Sequence, residues 1–237
     1  MNLNRFYTII GLAFFMVACT SQQISQTLGT VLGEGLTTEQ VAAGLKEALS
    51  NGVTKGTQSA SKTDGYFKNP RLKIPMPEEM QNVERTLRQV GLGDEVDKFI
   101  LTLNRGAENA AKEAAPIFLN AIRSMTIQDA WGILKGNENA ATQFLERTTT
   151  ASLKEKFKPV MQEALDKVNA TKYYSDIVTS YNRIPGVKKL NPDLNDYATE
   201  KAIEGLFILV ADEEANIRKN PSARTSELLR KVFAQAD

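Results

Sequence analysis

The sequence predicts an all-α fold, a single-domain bundle of nine or ten helices around a buried long helix near the C-terminus, with no β-sheet. Two observations lead to this prediction. Apolar residues recur at spacings of three and four along most of the chain, as they do on one face of a helix. No segment alternates apolar and polar residues over a useful length, as a half-buried strand would.

The long helix is predicted from the run GLFILVA at 205–211, which is apolar on every side of a helix. Such a helix is normally buried all round, and this run is too short to span a bilayer. A buried strand is the alternative. The flanks favour a helix over 195–219, because Asn195 or Asp196 can cap its start and Pro221 stops it.

The elements of the first half follow from local signals. A capping box, Thr37-x-x-Gln40, opens the first helix. The stretch 62–76 has no helical period and contains X-Pro pairs, so we predict a long ordered connection that packs on the core. The further helices are predicted over 77–90, 93–114, 117–125 and 126–134, with breaks at Gly91, at Pro116 and before the capping box Thr126-x-x-Asp129.

In the second half, the triplet at 148–150 is the main punctuation. Three threonines in a row indicate the end of one helix, which Asn137 or Asn139 starts, and the N-cap of the next. The predicted helices are 139–148, 152–168 with Pro159 inside it, 171–182, the long helix and 222–234. Trp131, Tyr173, Tyr174 and Tyr181 are candidates to line a ligand groove, although such residues more often belong to the core.

Composition excludes several kinds of chemistry. The chain has no histidine, which excludes Ser-His-Asp catalysis, histidine-ligated zinc and ferritin-like di-iron sites. Its single cysteine, Cys19, excludes an intrachain disulfide and a cysteine-rich metal site. We therefore expect no metal and no cofactor. Lys+Arg number 29 and Asp+Glu 28, with no basic run, so nucleic-acid binding is not expected.

Cys19 has another explanation in its setting. A weakly positive start and an apolar stretch at 6–17 have signal-peptide length, and they end in MVAC at 16–19. This resembles the bacterial lipoprotein lipobox, with Met16 where leucine is usual. The resemblance implies that residues 1–18 are removed and that Cys19 is lipidated. A plain cleaved signal with a chance cysteine is the alternative.

The lipobox resemblance also sets the expected location. Residues 19–35 are rich in Ser, Gln, Thr and Gly and are predicted to tether a helical domain, 36–237, to the membrane. Thr20, not aspartate, follows the cysteine. By resemblance to the enterobacterial sorting pattern, this implies the outer membrane, facing the periplasm. The expected partners are the membrane and a protein of the envelope, and the sequence does not indicate an oligomeric state.

Ten short segments together resemble one family of uncharacterised bacterial envelope proteins, domain of unknown function 4197. The segments are GLKEAL at 44–49, DGYF at 64–67, KIPMP at 73–77, GLG at 91–93, LNRGAE at 103–108, MT at 125–126, AAT at 140–142, RTT at 147–149, LNDY at 194–197 and GLF at 205–207. The resemblance covers about 36–234 and implies a helical, secreted or lipid-anchored protein. It implies no activity and no catalytic residue.

The first candidate polar cluster lies at the exit of the long helix. Glu213 and Glu214 follow Val210 at three and four residues, so they continue the predicted buried face. A buried carboxylate needs a partner or takes up a proton. One hypothesis is a general acid or cation ligand. The favoured one is a structural ion pair, in which Glu214 meets Arg218 at i+4 and other arginines reach Glu213.

Two further sets complete the candidates. Asn104, Arg105 and Glu108, with Lys112, are interpreted first as a solvated helix face, and alternatively as a polar cluster beneath another helix. Arg147 is assigned to the end of the helix before the threonine triplet, or to an anion site at the N-terminus of the helix that follows it.

Three functions remain open. The sequence favours a non-enzymatic, lipid-anchored binding or scaffolding protein of the envelope. A carboxylate-dependent hydrolase of envelope polymer or lipid is the second possibility, since a glycosidase needs little more than spaced carboxylates and a cleft. A carrier of a small apolar ligand, held between helices, is the third. Buried carboxylates that are fully paired would argue against the hydrolase, and an apolar cavity of ligand size would favour the carrier.

Overall fold

The computed structural model describes residues 36–183, 185–186 and 189–234, without the side chains of 173, 177, 180 and 181. The α-helices are α1 (Thr38–Ala60), α2 (Gln81–Gln89), α3 (Gly93–Ala110), α4 (Ala114–Ser124), α5 (Ile127–Leu134), α6 (Ala140–Asp166), α7 (Ala170–Asn182), α8 (Leu194–Lys219) and α9 (Glu227–Phe233). Short 3₁₀ turns lie at Glu78–Met80, Ala111–Glu113 and Pro221–Ala223. The described residues include no strand, which confirms the all-α class. Cys19 and its surroundings lie outside the described residues.

The long helix α8 is confirmed and packs against α1, α3, α6 and α7. Its N-cap is Asp193, whose carboxylate accepts from the amide of Asp196, so the predicted cap was two or three residues late. The prediction that its apolar run is buried all round is wrong. Leu206 and Val210 face the core, whereas Ile208 and Leu209 are half-buried, because the packed helices do not enclose the whole circumference.

Helix α6 is one continuous helix where two were predicted. Each hydroxyl at 148–150 donates to the carbonyl oxygen four residues earlier, at 2.8, 2.5 and 2.6 Å. Threonine hydroxyls can serve a new helix start or bond back along the same helix. Here they bond back, so the helix does not end at the three threonines. The helix also continues through Pro159.

The connection between α1 and α2 is ordered and packs on the core, as predicted. Tyr66, Leu72, Ile74 and Met76 are all buried. The Tyr66 hydroxyl donates to the carbonyl of Ala202 on α8 at 2.5 Å.

Gly205 permits the approach of Tyr66 to α8. A Cβ atom at position 205 would lie 2.8 Å from Tyr66 Cε1. The glycine inside the apolar run of α8 therefore leaves the space in which Tyr66 of the connection packs.

Other local predictions hold. Thr126 and Asp129 form the capping box of α5, and bonds from the hydroxyl and amide of Thr126 lower the pKa of Asp129. Gly91 ends the α2 segment with φ +86°. At Gly106 a Cβ would lie 3.0 Å from Ala164 Cβ, so α3 and α6 approach closely where α3 carries small residues. None of the described helices is long and apolar enough to cross a bilayer.

Candidate functional site: two buried carboxylate clusters

Glu214 is buried, with 5% of the residue exposed, and its carboxylate accepts five hydrogen bonds. The amides of Ala141 and Thr142 donate at 3.0 and 2.8 Å, and the Thr142 hydroxyl donates at 2.8 Å. Arg218 donates through Nε at 3.0 Å and through Nη2 at 2.9 Å. The predicted i+4 ion pair is therefore confirmed. We call these residues the Glu214 cluster.

The Glu214 cluster joins the ends of two helices. Asn139, the N-cap residue of α6, makes no side-chain capping bond. Glu214 on α8 supplies the acceptor instead. It does so at the N-terminal end of α6, where a negative charge is favoured. Arg218 Nη2 also donates to the carbonyl of Ile133 at 2.8 Å, in the last turn of α5. The ion pair thus caps the start of α6 and the end of α5 together.

Glu213 differs from its neighbour. Its side chain is 18% exposed, and it pairs with Lys55 Nζ of α1 at 2.7 Å. The expectation of an arginine partner for Glu213 is wrong. On α8, residue 214 points between α5 and α6, whereas residue 213 points toward α1 at the edge of the core. This is a peripheral ion pair.

Glu108 is the second buried carboxylate, with 3% of the residue exposed. Its Oε1 accepts from the amides of Tyr66 and Phe67 at 3.1 and 3.2 Å, and Arg105 Nη1 donates to Oε2 at 2.5 Å. Arg105 Nη2 bonds Asp64 at 2.7 Å. Helix α3 therefore holds the α1–α2 connection through charge. We call these five residues the Glu108 cluster.

Asn104, one turn earlier on α3, holds the same connection by another pair of bonds. It is fully buried, its Oδ1 accepts from the amide of Ile74 at 2.8 Å, and its Nδ2 donates to the carbonyl of Ile74 at 2.9 Å. The interpretation of Asn104 and Glu108 as a solvated face is wrong. The alternative, a polar cluster, is correct, although a connection and not a helix covers it. Lys112 bonds Asn109, not Glu108.

Asp64 and Tyr66 belong to the Glu108 cluster, and the sequence did not single them out for it. Lys68 and Arg105 bond the Asp64 carboxylate and hold its pKa below its usual value. Burial, and then the charge of Glu108, raise the pKa of Tyr66. Asp64 has φ +68°, which aspartate tolerates better than most residues. Arg105, the partner of Asp64, lies 41 residues further along the chain, so no local sequence signal indicated this contact.

Arg147 joins neither cluster. It is exposed in the middle of α6 and lies over the ring of Phe144 at 5.5 Å, so its predicted role at a helix end is wrong. Trp131 is half-buried beneath Lys135, and Tyr174 is buried. The side chains of Tyr173 and Tyr181 lie outside the described residues.

The Glu214 carboxylate has no room for a substrate beside it, and Glu108 lies beneath the α1–α2 connection with 3% of the residue exposed. The cavity beside Glu214 and Arg218 has a volume of about 10 Å³, which is at most the space of one water molecule. In the described part of the chain, no buried side-chain nitrogen or oxygen lacks a hydrogen-bond partner. No three histidine, cysteine, aspartate or glutamate residues there are grouped so as to hold a metal ion. The two carboxylates are thus satisfied acceptors within the packing of the helices.

These features define a class: an all-helical protein whose buried carboxylates hold helix ends and a connecting segment. The family model described as "Protein of unknown function (DUF4197)" matches residues 35–234, so the chain belongs to that family. No curated protein and no solved structure matches it.

Proposed function

We propose that this is a non-enzymatic, lipid-anchored binding or scaffolding protein of the bacterial cell envelope. The proposal of a non-enzymatic role is supported by the hydrogen bonding of the two buried carboxylates, because protein donors already occupy both of them. Glu214 has five donors and Glu108 has three. A general acid has to reach the atom to which it gives its proton. With no space beside Glu214 and a covering connection over Glu108, neither carboxylate meets that condition.

The anchor rests on the sequence around Cys19. An apolar stretch of signal length ends in MVAC, and Cys19 is the only cysteine of the chain. Several acyl chains on one N-terminus hold a protein stably at a membrane where one chain would not. We expect the intact mass of the mature protein to start at Cys19 and to include covalently bound acyl chains. A mature chain with an unmodified Cys19 would contradict the anchor.

The partner is best sought in the intact envelope. Chemical crosslinking in cells, followed by affinity purification of the full-length protein, tests whether an envelope protein is bound. The matched control is Cys19→Ser, which removes the lipid attachment point and leaves the helical domain unchanged. We expect a partner that crosslinks to the anchored protein and is lost with Cys19→Ser. Identical crosslinking of both forms would contradict a role that depends on anchoring.

A second candidate function, a carrier of a small apolar ligand, is favoured by one groove. It has a volume of about 460 Å³, lies between the α2–α3 hairpin and the start of α7, and is lined mostly by apolar side chains. Ligand sites commonly have volumes of about 300–1,000 Å³ and mostly apolar walls. Copurification of a bound lipid, detected by mass spectrometry of an organic extract, would support this function. An extract without any stoichiometric lipid would count against it.

A further inference from the structure

The groove beside the α2–α3 hairpin, here called the hairpin groove, is apolar inside and charged only at its rim. Its apolar wall is formed mainly by Met76, Met80, Val83, Leu87, Val96 and Phe99. Methionine side chains are unbranched and adapt easily to a flexible apolar chain. The Tyr174 hydroxyl is already engaged, because the Glu79 carboxylate and the Asn191 carbonyl lie within hydrogen-bond distance of it, at 3.0 and 3.2 Å. The Tyr174 hydroxyl is therefore not available to orient a polar ligand.

The rim of the hairpin groove carries two lysines and one carboxylate, namely Lys98, Lys167 and Glu95. Lys167 pairs with Glu163 at 3.1 Å on the exposed surface. The ammonium of Lys98 makes no hydrogen bond or ion pair with any residue in the described ranges, and only its main-chain carbonyl accepts a side-chain bond, from Thr102. An ammonium at the edge of an apolar groove suits an anionic head whose tail lies inside.

One wall of the hairpin groove is held weakly. No residue of α2 is buried, and α2 packs chiefly on α3 and the preceding 3₁₀ turn. The hairpin turns at Gly91, and its tip exposes Val90 and Leu92, at 66% and 47%. Segments with few buried apolar contacts open at low free-energy cost. The α2 wall can therefore move to admit a chain that the fixed wall on α3 and α7 then holds.

We propose that the hairpin groove binds a long-chain fatty acid, with its alkyl chain between α2, α3 and the start of α7 and its carboxylate at Lys98. This inference rests on the carrier function proposed above and names its ligand class. Burial of the alkyl chain supplies most of the affinity, because each methylene leaves water. Lys98 supplies the preference for an anionic head. The binding involves no covalent step.

Native mass spectrometry of the full-length protein, released from detergent micelles, tests the ligand class. The probes are palmitic acid, 1-hexadecanol, which has the same chain with a neutral head, and a palmitoyl lysophosphatidic acid. We expect a one-to-one palmitate adduct and a weaker hexadecanol adduct. Equal binding of hexadecanol would overturn the role of Lys98, and preferred binding of the lysophosphatidic acid would overturn the choice of a fatty acid.

Substitutions test the location. Val83→Trp fills the groove from a half-buried position and should lower the adduct fraction by about tenfold or more. Val90→Trp makes the same change at an exposed position of the same hairpin, outside the groove, and should leave the adduct unchanged. Leu87→Gln places an amide in the groove wall without added bulk, and it serves if Val83→Trp does not fold. Palmitate binding that resists Val83→Trp and Leu87→Gln would overturn the site.

The contact between the carboxylate head and Lys98 is tested by one substitution and a matched control. Lys98→Gln should weaken palmitate binding about two- to fivefold, as expected for one solvent-exposed ion pair. Lys112→Gln, an exposed lysine outside the groove, should have no effect. If no palmitate adduct forms at all, the fatty-acid site is wrong. The anchor and the non-enzymatic role would still stand, because intact mass and thermal unfolding test them separately.

Discussion

The Glu214 and Glu108 clusters use one device for two different tasks. In both, a buried carboxylate accepts hydrogen bonds from two consecutive main-chain amides and from one arginine. In the Glu214 cluster the amides are the open start of helix α6. In the Glu108 cluster they belong to Tyr66 and Phe67, in a connection that is not helical. The first cluster therefore fastens helix to helix, and the second fastens a connecting segment to a helix.

The arginines explain why the two clusters should differ in energy. The Arg218 side chain is 14% exposed and that of Arg105 is 36% exposed. Without its carboxylate, Arg218 would remain a nearly buried charge, whereas Arg105 can turn toward water and still reach Asp64. Breaking a buried pair is costly mainly because of the charge that remains. We therefore expect the Glu214 cluster to matter more for global stability.

Glu214→Gln should have the largest effect. It keeps the shape of the side chain but removes the charge that balances Arg218 and caps α6. We expect a loss of about 3 kcal/mol in the free energy of unfolding, or a melting temperature lower by roughly 6–12 °C. Thermal unfolding followed by circular dichroism measures it. A protein that melts unchanged but has lost its function would reverse the assignment from structural pair to site.

Glu108→Gln should cost about 2 kcal/mol, because one hydrogen-bonded charge is lost but Arg105 is partly solvated. The effect should be concentrated in the α1–α2 connection. Limited proteolysis under native conditions is the measurement, and we expect new cleavage within residues 61–76 before any within α6. Cleavage first in α6 would contradict the division of tasks between the clusters.

Asp64→Asn tests the pH dependence of the Glu108 cluster. Because Lys68 and Arg105 lower the pKa of Asp64 in the folded protein, its contribution is present above the unfolded value of about 3.9 and is lost as the pH falls through the folded value. The melting temperatures of wild type and variant should therefore differ most near neutral pH and converge below about pH 4. Glu155→Gln, at an exposed position inside α6, is the control. A difference that grows in acid would contradict this.

Glu213→Gln should have the smallest effect, at most about 1 kcal/mol, because its partner Lys55 is 63% exposed and an exposed ion pair is screened by water. It is the natural control for Glu214→Gln, since the two residues are adjacent and the substitution is identical. Chemical denaturation with the same denaturant for both variants gives the comparison. Equal losses for both would show that burial does not set the difference.

The sequence was sufficient where a contact is local. The i+4 pair of Glu214 and Arg218, the capping box at Thr126 and the turn at Gly91 all depend on residues within one turn of each other, so spacing alone predicts them. It was insufficient at 148–150, because a threonine hydroxyl can cap a new helix or bond back with the same local sequence. Only the packing around α6 decides between the two.

The carboxylates' main-chain partners could not be predicted for another reason. Ala141 lies 73 residues before Glu214, and Tyr66 lies 42 residues before Glu108. Helical periodicity tells which face of a helix is buried, but not which segment covers it. Glu108 was therefore interpreted first as part of a solvated face, and the segment that covers it could not be named.

Amide hydrogen exchange in the full-length protein tests most directly whether Glu214 stabilises the start of α6 and Glu108 stabilises the α1–α2 connection. Glu214→Gln should accelerate exchange at Ala141 and Thr142 far more than at Tyr66 and Phe67, and Glu108→Gln should do the opposite. A local loss of about 1.4 kcal/mol corresponds to tenfold faster exchange. Unchanged exchange at Ala141 and Thr142 in a Glu214→Gln protein that melts at the wild-type temperature would contradict the account.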